Sequence, residues 1–184
     1  QDKANLIHIL SDNSIDPTFT PYGIEDKDGD HIIYDICLDN DKLYVGGKFS
    51  KISGQAQAHI AVLDKNTGNL INWNPNVDGM VKSILIDNNT VYIGGYFTQF
   101  SGQNVNYFVK IDKNSYTILP TVQVNGAINT MQQNTSSIYV GGNFKEVSTH
   151  ISGPLAVISD QDANVEKKFP EIQGLVYTTI PDGK

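Results

Sequence analysis

A seven-residue pattern that contains a glycine pair occurs three times along this chain. It reads LYVGGKF from Leu43 to Phe49, VYIGGYF from Val91 to Phe97 and IYVGGNF from Ile138 to Phe144. The first glycine of each pair stands at position 46, 94 or 141, so successive copies are 48 and 47 residues apart. A fixed period of about 20 to 50 residues is the sequence signature of a repeat protein. The chain is therefore expected to fold as a row of similar units.

Each unit contains four short apolar runs separated by turn residues. In the second unit these runs predict strand A (Val81 to Ile86), strand B (Val91 to Phe97), strand C (Tyr107 to Asp112) and strand D (Ile118 to Val124). Short runs that recur with turn signals at about 8 to 12 residue spacing are typical of an all-β fold. The period also fits HEAT or armadillo repeats, but their helices require a 3.6-residue pattern that is missing here.

The distribution of apolar residues indicates how the units pack. Strands A, B and C are apolar at nearly every position, which indicates sheets that are buried on both faces. Strand D is more polar, and a proline lies in or beside it in each unit, at Pro17, Pro75, Pro120 and Pro170. Because proline cannot donate to a sheet, strand D is expected at an edge. These features predict an all-β protein, a β-propeller with four-stranded antiparallel blades.

The strand pattern predicts about four blade repeats that are part of a larger propeller. Residues 1–22 are predicted to form a partial blade of strands C and D, and three blades follow at 23–76, 77–124 and 125–173. The predicted strands include a strand C at Leu6 to Leu10 in the partial blade, strand A at Ile32 to Leu38 in the first complete blade and strand D at Val165 to Phe169 in the third. Residues 174–184 are predicted to form the first strand of an incomplete blade. Unclosed end blades expose apolar faces and unpaired edges. We therefore expect the missing blades to be supplied by the rest of a longer chain or by another copy.

The repeated motif itself has a structural explanation. Glycine inside a strand marks a bulge or a close approach of another backbone. The pairs are expected to let adjacent blades approach closely, and the phenylalanine two positions later is expected to fill the gap between blades. The residues concerned are Gly46, Gly47, Phe49, Gly94, Gly95, Phe97, Gly141, Gly142 and Phe144.

These residues carry a resemblance to a known family. The pattern Tyr-aliphatic-Gly-Gly-x-Phe, followed by KFSKISG (Lys48 to Gly54) or YFTQFSG (Tyr96 to Gly102), resembles the delta-60 repeat propellers of bacterial secreted and surface proteins. The resemblance implies a binding or display scaffold without shared catalytic residues. Two departures stand out: the third unit reads NFKEVSTHISG, which suggests an insertion, and His31 stands where other units have Gly79, Gly126 and Gly174.

Composition excludes several classes of partner. The chain has 184 residues with a net charge of -7 and contains no arginine, so bidentate recognition of phosphate or guanine is excluded and nucleic acid is not an expected partner. No apolar run approaches the roughly 18 residues of a membrane span. The single cysteine, Cys37, cannot form a disulfide within the chain and is expected to be an inert thiol. An extracellular or cell-surface location follows only from the resemblance.

An acidic insertion precedes the first complete unit. Asp26, Asp28 and Asp30 alternate along GIEDKDGDH, as carboxylates do in calcium-binding loops. The spacing departs from an EF-hand loop, because glycine stands at the fourth position of the run and no glutamate closes it. The segment therefore predicts either a calcium site or a solvated acidic loop, and no other cofactor is expected.

Strand A offers candidate ligand-binding residues, because it is expected to line the central channel. One repeat position carries Tyr34, Lys82, Asn129 and Tyr177, and the next position carries Asp35 in the first unit. Polar residues here fit either a ligand-binding funnel or a water-filled channel. Outside strand A, Trp73 and Tyr116 are aromatic candidates for stacking on a sugar or anchoring a partner.

Three functions are compatible with this pattern. The first is a non-catalytic scaffold module of a secreted or cell-surface bacterial protein that binds a protein or a glycan. The second is a propeller that binds or hydrolyses carbohydrate at the channel mouth, which requires two carboxylates about 5 to 10 Å apart. The third is a structural spacer without a ligand. No motif specifies catalytic residues, and an enzyme is not the expectation.

Overall fold

A computed structural model describes residues 6–21, 23–134, 137–148, 150–151, 153–159 and 176–179. Within these ranges no helix is long and apolar enough to cross a membrane. The regular structure described consists of strands, which in chain order are β1 (Ile24–Glu25), β2 (Ile32–Asp39), β3 (Lys42–Lys48), β4 (Lys51–Ile52), β5 (Gln55–Ala56), β6 (Ile60–Asp64), β7 (Met80–Asp87), β8 (Thr90–Tyr96), β9 (Gln99–Phe100), β10 (Gln103–Asn104), β11 (Phe108–Asp112), β12 (Ile118–Leu119), β13 (Ala127–Gln133), β14 (Ser137–Asn143), β15 (Glu146–Val147), β16 (His150–Ile151) and β17 (Leu155–Ser159).

Three antiparallel sheets dominate the fold. The first has the order β2-β3-β6, the second β7-β8-β11-β12 and the third β13-β14-β17. In each sheet strand A pairs with strand B across a short turn, and strand B pairs with strand C across a longer connection, in the antiparallel order of a propeller blade. Strand β2 contacts β7, and β7 contacts β13, so the three strands A lie side by side where the sheets meet. The prediction of an all-β propeller with antiparallel blades is confirmed.

Strand D is shorter than predicted. In the second blade it is reduced to β12, and in the first blade to a single bridge between Leu63 and Leu70. The segment at Leu6 to Leu10, predicted as a strand C, likewise makes one bridge, between Ile9 and Ile15. Prolines beside strand D remove backbone donors, which restricts pairing at this edge. The predicted strand D of the third blade, Val165 to Phe169, and Pro170 lie outside the described residues.

A short hairpin between strands B and C occurs in all three blades and corrects one expectation from the sequence. The hairpins are β4-β5, β9-β10 and β15-β16. From Phe97 to Phe108 the chain advances 11 positions, and from Phe144 to Leu155 it also advances 11. The third unit therefore contains no insertion. The expectation was wrong because the departure is a substitution at the turn, where the other units have glycine.

The sheets pack face to face, and their side chains form the core. Tyr44 in the first blade packs with Val81 and Phe97 in the second, and Tyr92 in the second packs with Ile128 and Phe144 in the third. A third cluster joins Leu6 and Phe19 to Phe49. The repeated phenylalanines are 0 to 3% exposed. Each therefore lies between its own blade and the structure that precedes it.

The two glycines of each pair have different roles, which refines the expectation that both allow blades to approach. A Cβ on Gly46 would lie 2.7 Å from Cγ1 of Val81, in the next blade. A Cβ on Gly47 would overlap the carbonyl oxygen of Ile32, in strand A of the same blade. The first glycine therefore admits the neighbouring blade, and the second admits the backbone of its own strand A.

Candidate functional site

Each strand A carries a β-bulge opposite the glycine pair. In the first blade Ile33 pairs with Gly47 and Asp35 pairs with Gly46, so Tyr34 is the extra residue. The same shift in register leaves Lys82 extra in the second blade and Asn129 extra in the third. A bulge re-aims the side chain of its extra residue. The bulge opposite each glycine pair therefore sets the direction of one side chain per blade.

These bulged residues line one cavity, which lies where the three strands A are side by side. Its volume is about 450 Å³. We call it the strand-A cavity, and its lining residues are Tyr34, Met80, Lys82, Tyr96, Asn129 and Tyr177. Four of the five predicted ligand-binding residues therefore lie together, although the first and last of them, Tyr34 and Tyr177, are 143 positions apart in the sequence.

Contacts among the lining residues hold several of them in place. The Lys82 ammonium nitrogen lies 3.2 Å from the centre of the Tyr34 ring, a cation–π contact between blades. The Tyr34 hydroxyl donates to Sδ of Met80 at 3.7 Å. Asn129 donates through Nδ2 to the carbonyl oxygen of Val176 at 3.1 Å. The cavity wall is thus joined across neighbouring blades before any ligand arrives.

Two aromatic residues of this wall are exposed to solvent. Tyr96 is 41% exposed and Tyr177 is 73% exposed. The sequence did not single out Tyr96 or Met80, which pair with each other at the ends of β7 and β8. Met80 lies two positions before Lys82, and this spacing is a signal that the two residues share a face of the strand.

Asp35, the fifth predicted ligand-binding residue, does not line the cavity. Its Oδ2 accepts a hydrogen bond of 2.7 Å from the amide of Ile84 in the next blade. Ser83 stands at the same repeat position, and its hydroxyl oxygen accepts a bond of 3.0 Å from the amide of Met131. Burial raises the pKa of Asp35. The position after the bulge therefore ties blades together.

The carboxylates of the acidic insertion have separate surroundings in the described structure. Glu25 belongs to β1, which pairs with β4, and Asp26 lies 3.7 Å from the ammonium nitrogen of Lys48. Across the part of the chain that the structure describes, no three His, Cys, Asp or Glu side chains are grouped as metal ligands. Asp26, Asp28 and Asp30 are therefore not brought together around a common point.

The two outer aromatic candidates contact each other. The rings of Trp73 and Tyr116 are stacked with centres 4.7 Å apart, and both residues are partly buried against the core between the first two blades. The Lys42 ammonium group also donates to the Tyr116 hydroxyl at 3.2 Å. These contacts account for both rings as packing between blades.

Burial raises the pKa of Cys37, which keeps the thiol protonated.

Comparison with known proteins agrees with this architecture. The model of a family described as a domain of unknown function (DUF5122) beta-propeller matches residues 87–115. The matched segment runs from the end of β7 to the turn after β11 and includes Gly94 and Gly95. No curated protein matches the chain. The match covers the core of one blade, and together with the sheet topology it supports a β-propeller fold.

Proposed function

We propose that this chain is a non-catalytic β-propeller module that binds a glycan in the strand-A cavity. One observation carries the proposal: residues at a single repeat position of successive blades, among them Tyr34, Lys82 and Asn129, line one cavity. The repeat keeps the backbone the same at these positions while the side chain differs in each unit. Such variation suits a binding surface built on a constant scaffold.

The chemistry of the lining favours a sugar ligand. A volume of about 450 Å³ lies within the roughly 300 to 1,000 Å³ of small-molecule sites. Tyr96 and Tyr177 offer ring faces for the apolar side of a pyranose, together with hydroxyl groups. Lys82 contributes an ammonium donor, and the amide oxygen of Asn129 is not used in its bond to Val176. A pyranose bears hydroxyl groups on its ring, and a site that combines tyrosine rings with a few polar groups suits such a ligand.

The position of the carboxylates favours binding over hydrolysis. Glycosidases use two carboxyl groups about 5 to 10 Å apart. The residues described around the cavity are tyrosine, methionine, lysine and asparagine. The one acid that sequence reasoning assigned to strand A, Asp35, accepts a backbone hydrogen bond from the next blade. These observations support a module that holds a glycan without cleaving it.

The wider setting is part of the proposal. Its supports are the resemblance of the glycine-pair motif to delta-60 repeats, which implies a secreted or cell-surface protein, and the propeller match. We expect further blades from a longer chain or another copy to complete the propeller. Fractionation of the source cells tests the location: the protein is expected in the medium or on intact cells, and its confinement to the cell interior would contradict this expectation.

Binding is tested with an oligosaccharide array, followed by isothermal titration calorimetry of the best ligand. The wild-type chain is expected to bind at least one oligosaccharide, and Tyr177→Ala is expected to weaken binding by about tenfold. Because Tyr177 is 73% exposed, this substitution removes a ring without opening the core. Ile15→Ala is the matched control, since Ile15 is 63% exposed and lies outside the cavity.

Three outcomes would overturn the proposal. If no oligosaccharide is bound, the alternative of a structural spacer is favoured. If the chain binds a protein and no glycan, the ligand class is wrong. If Tyr177→Ala and Ile15→Ala bind as the wild type does, the ligand lies elsewhere on the chain.

A further inference from the structure

Lys82 brings a positive charge to the wall of the strand-A cavity. The other described lining residues are neutral: three tyrosines, a methionine and an asparagine. Asp35 belongs to the neighbouring strand A, but its Oδ2 accepts a hydrogen bond from the Ile84 amide and the residue does not line the cavity. The described wall is therefore positive, in a chain whose net charge is -7.

The Lys82 ammonium group has no carboxylate partner among the residues that the structure describes. Lys48, Lys51 and Lys113 each form an ion pair of 3.0 to 3.8 Å with an aspartate or a glutamate. The Lys82 nitrogen lies instead 3.2 Å from the centre of the Tyr34 ring. A ring face attracts an ammonium group through its quadrupole and leaves the net charge in place. The cavity therefore holds a cation whose charge is available to a ligand.

Tyr34 positions this cation. Its hydroxyl donates to Sδ of Met80 at 3.7 Å, which joins the ring to the second blade. Tyr34 and Lys82 are both extra residues of bulges, and both line the same cavity from their own strands A. The ammonium group is thus held before a ligand arrives, which reduces the entropic cost of binding.

We propose that the strand-A cavity recognises a sugar that carries a carboxylate, such as a uronic acid residue, and that Lys82 selects it. This inference rests on the proposed function, because it names the class of glycan that the cavity binds. Lys82 donates to the carboxylate, and a hydrogen bond between two charged groups is stronger than one between neutral groups. The exposed rings of Tyr96 and Tyr177 contact the pyranose ring.

The charge balance favours a single acidic sugar over a polyanion. The described cavity wall contributes one lysine, and the chain carries a net charge of -7 without any arginine. A ligand with many negative groups would be repelled by the protein as a whole. One ammonium group fits one carboxylate, on an oligosaccharide that is otherwise neutral.

Isothermal titration calorimetry with matched pairs of oligosaccharides tests this inference. The probes end in glucuronic or galacturonic acid, and each is paired with its carboxyl-reduced form, in which a hydroxymethyl group replaces the carboxylate. The wild-type chain is expected to bind at least one acidic probe about tenfold more tightly than its reduced form. This comparison depends on no variant. Lys82→Met is expected to remove the preference and to leave the affinity for the reduced form unchanged.

Lys110→Met is the matched control. The Lys110 ammonium nitrogen also lies over a tyrosine ring, 5.3 Å from the centre of Tyr92, and Lys110 is not among the described residues of the cavity wall. Both substitutions remove one positive charge, so a general effect of net charge changes both variants equally. Lys110→Met is expected to retain the preference for acidic probes. Methionine keeps an unbranched side chain that packs on an aromatic ring, so both variants are expected to fold, which circular dichroism checks.

The outcomes separate this inference from the proposed function. If acidic and reduced forms bind equally, or if Lys82→Met and Lys110→Met have the same effect, the inference is wrong and glycan binding stands. Binding of neutral oligosaccharides on the array, without binding of any acidic probe, would overturn the inference in the same way. If neither acidic nor neutral oligosaccharides bind, the proposed function fails and the inference fails with it.

Discussion

Cγ1 of Val81 lies 2.7 Å from the point where a Cβ on Gly46 would stand. Gly46→Ala is therefore expected to destabilise the protein by about 1 to 3 kcal/mol, since a methyl group would push two packed blades apart. Urea unfolding followed by circular dichroism measures this change.

A double-mutant cycle tests the cause. With Val81→Ala already in place, the cost of Gly46→Ala is expected to fall by about 1 kcal/mol, because the atom in its way has been removed. Strictly additive costs would show that the contact between these blades is not what requires glycine.

Removal of the Phe97 ring is expected to cost about 3 to 5 kcal/mol of stability. Phe97 is 1% exposed and lies in the core between the first and second blades. Its neighbour Tyr96 is 41% exposed, so Tyr96→Ala is the matched control and is expected to cost about 1 kcal/mol or less. Thermal unfolding gives the melting temperatures of Phe97→Ala and Tyr96→Ala. Similar melting temperatures would contradict the packing of Phe97 between the first two blades.

Asp35→Asn is expected to change how stability depends on pH. Burial raises the pKa of Asp35 above its ordinary value of 3.8, so the folded state binds this proton more tightly than the unfolded state. This carboxyl group therefore makes stability fall as pH rises from 3.8 through its folded pKa. Asparagine keeps an oxygen for the Ile84 amide and carries no charge. The variant should gain stability relative to wild type at neutral pH and lose this advantage towards pH 4. A difference that does not vary with pH would contradict the burial of Asp35.

The ion pair between Lys113 and Asp39 is expected to matter more than the pair between Lys51 and Glu25. The first pair is 3.0 Å long, with side chains 16% and 17% exposed, whereas the second is 3.8 Å long with side chains 52% and 53% exposed. Lys113→Met is expected to cost about 1.5 to 3 kcal/mol, because it leaves a partly buried carboxylate without its ammonium partner. Lys51→Met is expected to cost less than about 1 kcal/mol. Chemical denaturation measures the free energy of unfolding of both variants. Equal losses of stability in the two variants would contradict this ranking of the ion pairs.

The repeat made the sheets predictable, because their strands form continuous apolar runs between clear turns. The predicted strand A at Ile32 to Leu38 differs from β2 by one residue at its end. The two-residue strands β4, β5, β9 and β10 were not predicted, since pieces this short have no periodicity to detect. Strand D was predicted too long, because apolar residues there pack on neighbours without forming a ladder.

The candidate site was predictable only in part. Alignment of the repeats placed Tyr34, Lys82 and Asn129 at one repeat position. In the structure each of them is the extra residue of a β-bulge, so its side chain is directed differently from that of the residue that follows it. The structure places Asp35 outside the strand-A cavity, and the sequence alone does not separate it from Tyr34 because the bulge between neighbouring positions is not visible there. The partner of Asp35 is the amide of Ile84, in another blade, and sequence composition does not reveal such a contact.

The chain's two methionines allow a direct measurement of ligand binding in the strand-A cavity. Met80 lines the cavity, whereas Met131 is buried in the core between the second and third blades. With ¹³C-methyl methionine labelling, titration with the oligosaccharides that bind on the array is expected to shift the Met80 signal saturably and leave the Met131 signal in place. If the Met80 signal does not move with any bound oligosaccharide, the strand-A cavity is not the glycan site.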